Sequence, residues 1–185
     1  SDLHSTSRTV RLEVGAAMLL LRPDRSAYWP GQNALLVADV HLGKAEHFRR
    51  NGFAVPAGVH EATMNRLNAA LAETGATTLM VLGDLFHSER NAEWDAFIAW
   101  RAEAIQLQRV MLIQGNHDLL SDQDWRDAGV ESFERWDGEG LTLTHDPDDW
   151  QSDFGVHLCG HVHPGIRLKG RGKQSLRVAC WWRKS

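Results

Sequence analysis

Residues 78–84, Thr-Leu-Met-Val-Leu-Gly-Asp, decide the fold of this chain. The first five residues of this stretch form a short, nearly continuous apolar run, which is typical of a strand buried on both faces of a sheet. Helical patterns lie on either side, at residues 56–74 and 91–106, and the first of them stops at Gly75, a residue type that commonly ends helices. A strand between two helices predicts βαβ units and a partly parallel sheet.

Further apolar runs extend this pattern toward both ends of the chain. Residues 10–21 and 34–39 predict two strands with turn residues between them, and residues 110–113 predict the strand after the second helix. Four short C-terminal runs predict strands of a second sheet: residues 141–144, 156–159, 165–168 and 176–180. No internal repeat or linker divides the sequence. The sequence therefore predicts one α/β domain over residues 1–185, a two-sheet sandwich flanked by helices in the order α/β/β/α.

Length and composition agree with a single globular domain. The chain has 185 residues, with 43% hydrophobic and 24% charged residues, which is ordinary for a folded protein and unlike a disordered one. Cys159 and Cys180 are too few for a disulfide framework and lie in strand-like runs, as expected in a reducing cytoplasm. No apolar stretch reaches the roughly 20 residues of a membrane span, and the first residues lack the apolar core of a signal peptide. We expect a cytoplasmic protein with no membrane partner.

Metal-ligand residue types follow five of the predicted strands, at the point where each strand ends. In chain order they are Asp39 and His41, Asp84, Asn116, His145, and finally His161 and His163. The carboxyl ends of parallel strands meet at one edge of a sheet, so these side chains are expected to converge. Glycines at Gly83, Gly115 and Gly160 allow tight turns and a close approach of the backbone there.

The predicted site mixes hard and borderline ligands. Asp39 and Asp84 offer carboxylate oxygens, Asn116 offers a carbonyl oxygen, and the histidines offer imidazole nitrogens. So many ligands exceed the needs of one ion, whereas two divalent transition ions about 3.5–4 Å apart, sharing a carboxylate, would use them all. Mn, Fe and Zn suit this set better than Ca, which prefers oxygen ligands alone. Paired ions promote in-line attack on phosphate esters, so phosphoester hydrolysis is the predicted activity.

Together these motifs resemble the complete motif series of the calcineurin-like metallophosphoesterases. The series is Asp-x-His at residues 39–41, Gly-Asp at 83–84, Gly-Asn-His-Asp at 115–118, His145, and Gly-His-x-His at 160–163. One such motif alone is weak, but five in order at strand ends are very specific. The resemblance covers most of the chain and implies a metallophosphoesterase sandwich that holds two divalent ions.

Within that family the sequence is most similar to a ligase-associated bacterial branch. The likeness lies in Asp-Val-His-Leu-Gly-Lys at residues 39–44, Arg-Arg-Asn-Gly at 49–52 and His-Asp-Pro at 145–147. Gly-Asp-Leu-Phe-His-Ser at residues 83–88 also resembles the nuclease subunit of a double-strand-break repair complex. Both resemblances imply a manganese-dependent endonuclease that acts on DNA in bacterial repair. They also imply other repair proteins, including a DNA ligase, as partners.

The family resemblance further implies how the two ions divide the ligands. One ion would be bound by Asp39, His41, Asp84 and His163. The other would be bound by Asp84, Asn116, His145 and His161. Asp84 would therefore bridge the two ions.

The same resemblance implies roles for two histidines that bind no metal. His117 would face the scissile phosphate and stabilise the transition state or protonate the leaving oxygen, although orienting Asp84 or a ligand is the other interpretation. His87 resembles a second phosphate-facing histidine, and a structural role is equally open for it. Asp118 either orients His117 as its carboxylate partner or caps a turn.

The distribution of charge bears on the substrate, because phosphate backbones are held mainly by Lys and Arg. The net charge of −4 argues against a nucleic-acid binder, but two divalent ions would bring the loaded protein to about 0. Residues 118–154 hold twelve acidic and two basic residues, whereas residues 165–185 hold seven basic and no acidic ones. The block from Lys169 to Lys173 predicts either a track for a DNA backbone or a solvated hairpin without a partner.

Tryptophan is abundant in this sequence. Trp94 and Trp100 lie on a predicted helix and are expected to pack in the core. Trp150, Trp181 and Trp182 flank loops, where they either stack on bases or pack.

Two alternatives to a DNA endonuclease remain open from the sequence. A phosphoesterase for a nucleotide or another small phosphodiester would use the same metal centre. A binding scaffold with decayed catalysis would keep the fold, but the complete ligand set and His117 oppose it. The resemblance also implies a further apolar strand after Trp182, where this sequence reaches Ser185.

Overall fold

A seven-stranded mixed sheet, whose strands follow one another in sequence order, forms the centre of the fold. The computed structural model describes residues 9–43, 59–87, 89–149, 155–170, 172 and 174–183. The strands of this main sheet are β1 (Val10–Val14), β2 (Ala17–Leu21), β3 (Ala27–Trp29), β4 (Ala34–Val37), β5 (Thr78–Leu82), β6 (Arg109–Ile113) and β7 (Glu131–Phe133). Strands β1 to β4 pair antiparallel, and β4 to β7 pair parallel. The parallel half contains the predicted βαβ units.

Helices connect the parallel strands. Helix α1 (Val59–Thr74) ends before Gly75, whose φ of +65° is the left-handed conformation expected of a glycine that terminates a helix. Helix α2 (Ala92–Glu103) begins after Asn91, whose side chain accepts hydrogen bonds from two amides of the first turn. The sequence pattern does not indicate helix α3 (Asp122–Asp127), because six residues are too few for a helical repeat of apolar residues.

Two smaller sheets follow the main one. Strands β8 (Trp136–Gly138), β9 (Leu141–Thr144) and β10 (Val156–Cys159) form a three-stranded sheet in which β9 is central. Strands β11 (Gly165–Lys169) and β12 (Ser175–Ala179) pair with each other in a separate hairpin. The prediction that all four C-terminal runs share one sheet is therefore wrong. The chain between β10 and β11 turns sharply through two left-handed residues, so β11 does not continue the sheet of β10.

Both faces of the main sheet are buried, as the apolar run in β5 predicts. On one face, Leu79 and Val81 of β5 belong to an apolar cluster with residues of α1, α2 and α3. On the other face, Met80 and Leu82 belong to a second cluster that includes residues of β9. The α/β fold class is confirmed: helices cover one face of a large mixed sheet, and a smaller sheet covers the other.

Other sequence predictions are refined rather than replaced. Residues 10–21, predicted as one strand, form a hairpin that turns at Gly15. Strands β3, β7 and β8 are not predicted, because three residues are too few to establish an alternating pattern. Trp94 is buried against the rings of Phe86 and Trp125, as expected for a helix residue facing the core. No helix among the described residues is both long and apolar enough to cross a membrane.

Candidate metal centre

The loops after β4 and β5 run side by side and carry the first three predicted ligands. The backbone amide of Asp39 donates to the carbonyl of Gly83 at 3.1 Å, and that of His41 donates to the carbonyl of Asp84 at 2.8 Å. These hydrogen bonds continue the parallel pairing of β4 and β5 past the ends of both strands. The three ligand side chains are thereby held at the carboxyl edge of the sheet.

Strained backbone conformations are concentrated at the candidate ligands. Of the eight described non-glycine residues with positive φ, five are candidate ligands: Asp39 (+52°), His41 (+52°), Asp84 (+54°), His161 (+63°) and His163 (+45°). A left-handed conformation costs a non-glycine residue about 1–3 kcal/mol and persists only where the surrounding structure enforces it. Such residues cluster at functional sites, so this edge of the sheet is the candidate site on backbone geometry alone.

Three of these residues, Asp39, His41 and His163, form the first half-site. One ligand atom from each lies within 4.8 Å of the others. The distance from His163 Nε2 to Asp39 Oδ1 is 3.6 Å, and the rings of His41 and His163 are stacked with centroids 5.6 Å apart. The His163 side chain is 57% exposed, so the first half-site is open to solvent on that side.

The second half-site consists of Asp84, Asn116, His145 and His161. His145 Nε2 lies 3.5 Å from Asp84 Oδ1, 3.1 Å from Asn116 Oδ1 and 3.1 Å from His161 Nδ1. Asp84 and His145 are only 2% and 3% exposed, whereas Asn116 and His161 lie at the surface. The residues predicted for the second ion therefore surround one buried nitrogen atom.

The hydrogen bonding of His145 makes the second half-site suitable for a cation. His145 Nδ1 lies 3.1 Å from the carbonyl oxygen of Leu82, which can only accept a hydrogen bond, so Nδ1 carries a proton. In the neutral ring the lone pair is then on Nε2, which faces two oxygens and another imidazole nitrogen. Such a group of acceptors needs either a proton or a metal cation among them. The residues present therefore fit a divalent ion, with the ligand histidine oriented by a backbone carbonyl as in many metal sites.

Asp84 lies between the two half-sites. Its Oδ1 faces His145, and its Oδ2 lies 3.8 Å from His41 Nδ1. Its Oδ1 also accepts a hydrogen bond from the backbone amide of His117 at 3.1 Å. This is the position that a bridging carboxylate requires. Asp39 also has a carboxylate oxygen within 4.8 Å of ligand atoms of Asp84 and His145, so two carboxylates adjoin both half-sites.

Two predicted glycines make this close packing possible. A Cβ at Gly83 would lie 1.9 Å from His145 Nδ1, and the φ of Gly83 is +79°. A Cβ at Gly115 would lie 2.3 Å from Asp84 Oδ1. The side chains of His145 and Asp84 could not stay in place beside any residue larger than glycine at these positions.

Asp118 joins the loop after β5 to the loop after β6. Its carboxylate accepts hydrogen bonds from the backbone amides of Asp84 at 2.8 Å, Phe86 at 3.0 Å and Gly115 at 2.8 Å. Burial raises the pKa of Asp118 above its ordinary value, although the three amides oppose that effect. Of the two interpretations of Asp118, the structure favours the turn-capping one, because these three hydrogen bonds to the carboxylate all come from backbone amides.

His87 and His117 lie together beside the first half-site. Their ring centroids are 4.0 Å apart, and they lie 5.6 Å and 6.1 Å from the ring centroid of His41. Both rings are half-buried. The structure thus brings together the two histidines that the sequence singles out as facing the phosphate.

His157, to which the sequence assigns no function, supports the second half-site. The Thr144 hydroxyl donates to the carbonyl oxygen of Asp146 at 2.7 Å, and His157 Nε2 lies 2.5 Å from the hydroxyl oxygen. Because the single hydroxyl proton is directed to the carbonyl, His157 must donate from Nε2. Burial, and after it the charge of Arg135, lowers the pKa of His157. No sequence signal reveals this contact, since it depends on the parallel register of β9 and β10.

Several residues of the predicted motifs lie outside the described part of the chain. They are Lys44, residues 49–52, Ser88, Trp150, Arg171 and Lys173. Trp181 and Trp182 are described and exposed.

Comparisons with known proteins bear on this centre. A family model described as calcineurin-like phosphoesterase matches residues 33–153. Among solved structures, the nuclease MPE of Pseudomonas putida is 34% identical to this chain, with a TM-score of 0.75 over 93% of this chain and 80% of that one. A protein of unknown function from Aquifex aeolicus, AQ665, is 20% identical, with a TM-score of 0.42 over 63% of this chain and 61% of that one. No curated protein shows a significant match.

Proposed function

The chain belongs to the calcineurin-like phosphoesterase family, and we propose that it is a manganese-dependent endonuclease that hydrolyses DNA in bacterial repair. Membership of the family makes it a hydrolase of phosphodiester bonds that uses divalent metal ions. The observation that most strongly supports a nucleic-acid substrate is the 34% identity to a nuclease across 93% of the chain, and the choice of DNA rests on the sequence resemblance to the ligase-associated branch. Convergence of all the predicted ligands at one edge of the sheet supports the same proposal.

Each half-site would hold one divalent ion. Asp39, His41 and His163 would bind the first, and Asn116, His145 and His161 would bind the second, with Asp84 between them. Divalent ions supply Lewis acidity toward phosphate oxygens and make an attacking water more acidic. The mixed oxygen and nitrogen ligands of the two half-sites favour Mn, and Fe and Zn are the other metals of suitable chemistry.

The residues around the centre would handle the proton and the phosphate. His117 would donate a proton to the leaving oxygen; in support, its backbone amide donates to Asp84 Oδ1 and its ring lies beside the first half-site. His87, whose ring centroid is 4.0 Å from that of His117, would contact a non-bridging phosphate oxygen. The Asp118 carboxylate keeps the two loops that carry these residues at a fixed separation.

The cellular setting is proposed on the resemblance to the ligase-associated branch. A cytoplasmic location and other repair proteins as partners, a DNA ligase among them, follow from that resemblance. Co-purification of the ligase with the tagged chain at endogenous levels would support the partnership.

A plasmid-nicking assay with Mn²⁺ tests the proposed function. We expect supercoiled DNA to be nicked with Mn²⁺ and to remain intact with EDTA. His117→Ala should lose cleavage and keep both ions, as measured by metal analysis of the purified protein.

Bis-p-nitrophenyl phosphate and nucleotides provide the comparison substrates. Their turnover without cleavage of single-stranded or duplex DNA would assign a small phosphodiester as the substrate. If metal is bound but none of these substrates is turned over, the protein would be a binding scaffold without catalytic activity. Full activity of His117→Ala would overturn the role of His117 as general acid.

A further inference from the structure

The hairpin of β11 and β12 has one cationic and one apolar face. Its register places Arg167 opposite Arg177 and Lys169 opposite Ser175. Because side chains alternate along a strand, Arg167, Lys169 and Arg177 share one face, which we call the cationic face. Ile166, Leu168, Leu176 and Val178 share the other. All residues of both strands are exposed.

The cationic face lacks carboxylate partners among the described residues. Five arginines elsewhere pair with an acidic side chain: Arg11, Arg22, Arg90, Arg109 and Arg135. No described carboxylate lies within 4 Å of the charged atoms of Arg167, Lys169 or Arg177. Like charges directly opposite on paired strands destabilise the pair, so an anion between Arg167 and Arg177 would be favourable.

The cationic face begins at the metal centre. Strand β11 starts two residues after the ligand His163, and the Arg177 guanidinium donates to the carbonyl oxygen of His163 at 3.1 Å. The Arg177 side chain lies across Gly165, where a Cβ would be 2.7 Å from its Nε. The amide of Cys180 also donates to the carbonyl of Pro164, which fastens the base of the hairpin. Positive charge therefore runs from the first half-site outward along β11.

We propose that the cationic face binds the phosphate backbone of DNA beside the bond that is cleaved. This inference rests on the proposed function and adds a binding surface to it. Strand β11, from Gly165 to Lys169, extends over about 13 Å, at roughly 3.3 Å per residue. A DNA strand in a duplex advances about 3.4 Å along the helix axis per nucleotide, so the face would span about four nucleotides on one side of the centre. A mononucleotide at the centre has no phosphate that reaches Arg167 or Lys169, so the face distinguishes polymer from small substrate.

The double variant Arg167→Gln/Lys169→Gln tests this surface. Both side chains are exposed, so the fold should be unaffected, and Arg177 is left in place because it contacts the ligand loop. Binding of a fluorescent oligonucleotide is measured by anisotropy in EDTA over a range of NaCl concentrations, which separates binding from cleavage. We expect affinity to fall about tenfold and the slope of log affinity against log salt to decrease by about two, one for each phosphate contact.

Arg66→Gln/Arg126→Gln is the matched control, because it removes two exposed cations from α1 and α3 and changes the net charge equally. We expect wild-type affinity and slope for it. Equal weakening in both double variants, or unchanged binding in Arg167→Gln/Lys169→Gln, would overturn the proposal.

Hydrolysis of bis-p-nitrophenyl phosphate with Mn²⁺ separates this proposal from the proposed function. Arg167→Gln/Lys169→Gln should keep the wild-type rate with this substrate and lose cleavage of DNA at moderate salt. If the wild type binds DNA through this face but never cleaves it, the endonuclease proposal is wrong and the proposal that the cationic face binds DNA is supported. If the wild type cleaves DNA and the variant binds DNA as tightly as wild type, only the proposal about the cationic face is wrong.

Discussion

The two half-sites differ in how completely the protein surrounds them. In the second half-site, Asp84 and His145 are almost fully buried, and the carbonyl of Leu82 fixes the ring of His145. In the first half-site, the His163 side chain is 57% exposed and follows a sharp turn. The shared boundary is formed by the carboxylates of Asp39 and Asp84.

This difference indicates a division of labour within one centre. The buried pair Asp84 and His145 follows the strand ends directly, so the fold supplies this part of the second half-site before any ion binds. The first half-site faces the solvent and adjoins His87, His117 and the base of the β11–β12 hairpin. A phosphodiester would therefore approach from the first half-site, and the second would hold its ion more tightly.

The largest effect is expected from Asp84→Asn, which removes the charge shared by both half-sites. A neutral amide leaves the acceptors around His145 and His41 with less negative charge to hold cations. We expect kcat/KM for bis-p-nitrophenyl phosphate to fall by at least about 10³, equivalent to roughly 4 kcal/mol of transition-state stabilisation. Metal analysis should show fewer than two ions per chain.

Asp95→Asn is the matched control, since Asp95 is exposed on α2, away from the ligand loops. It should retain wild-type kcat/KM and metal content. Wild-type metal binding by Asp84→Asn would show that Asp84 does not connect the half-sites.

A smaller effect is expected from Gly83→Ala, which acts most directly on His145 of the second half-site. The new Cβ would lie 1.9 Å from His145 Nδ1 and would break the bond of that ring to Leu82. We expect a loss of about 3 kcal/mol or more in the free energy of unfolding, from overpacking and left-handed strain together.

Gly129→Ala separates the two causes. Gly129 also has a left-handed φ, at +68°, but a Cβ there would approach nothing closer than 3.9 Å. It should therefore cost only about 1 kcal/mol in urea denaturation. Equal losses for the two variants would mean that the contact with His145 contributes nothing.

Features that depend on residues close together in the sequence could be predicted from it, whereas features that depend on which strands pair could not. Asp84 could be identified because a buried strand followed by Gly-Asp is a local pattern, and the same holds for His145 after β9. The contact of His157 with Thr144 could not, because it depends on which strands pair and in which register. The separation of β11 and β12 from the second sheet was missed for the same reason. Local patterns thus predicted which candidate ligands lie together, whereas the contacts that support them could be found only in the structure.

The Thr144 hydroxyl is one of those supports. Thr144→Val keeps the size of the side chain but removes the hydroxyl that joins His157 to the carbonyl of Asp146. The turn that carries His145 should loosen, and removal of such a support typically weakens metal affinity by about 10- to 100-fold. Titration of the metal-free protein with Mn²⁺ should show this weakening at one of two sites.

Thr144→Ser keeps the hydroxyl and should bind Mn²⁺ at both sites with wild-type affinity. Equal weakening at both sites would show that the Thr144 hydroxyl does not act through the second half-site.

The smallest effect is expected in the pH dependence of stability, and it arises from His157. Burial lowers the pKa of His157 in the folded protein, with Arg135 adding to the shift and Asp149 opposing it. Between that lowered pKa and the ordinary value of about 6.5, the unfolded chain binds more protons than the folded one. The stability contributed by neutral His157 is therefore fully present above pH 6.5 and is lost as the pH falls through the folded pKa.

In metal-free protein, His157→Gln keeps a donor for Thr144 but cannot titrate. The free energy of unfolding of this variant, minus that of wild type, should therefore increase as the pH falls from 7 to 5. Urea denaturation at several pH values measures this difference, and parallel curves for the two proteins would show that His157 has the same pKa folded and unfolded.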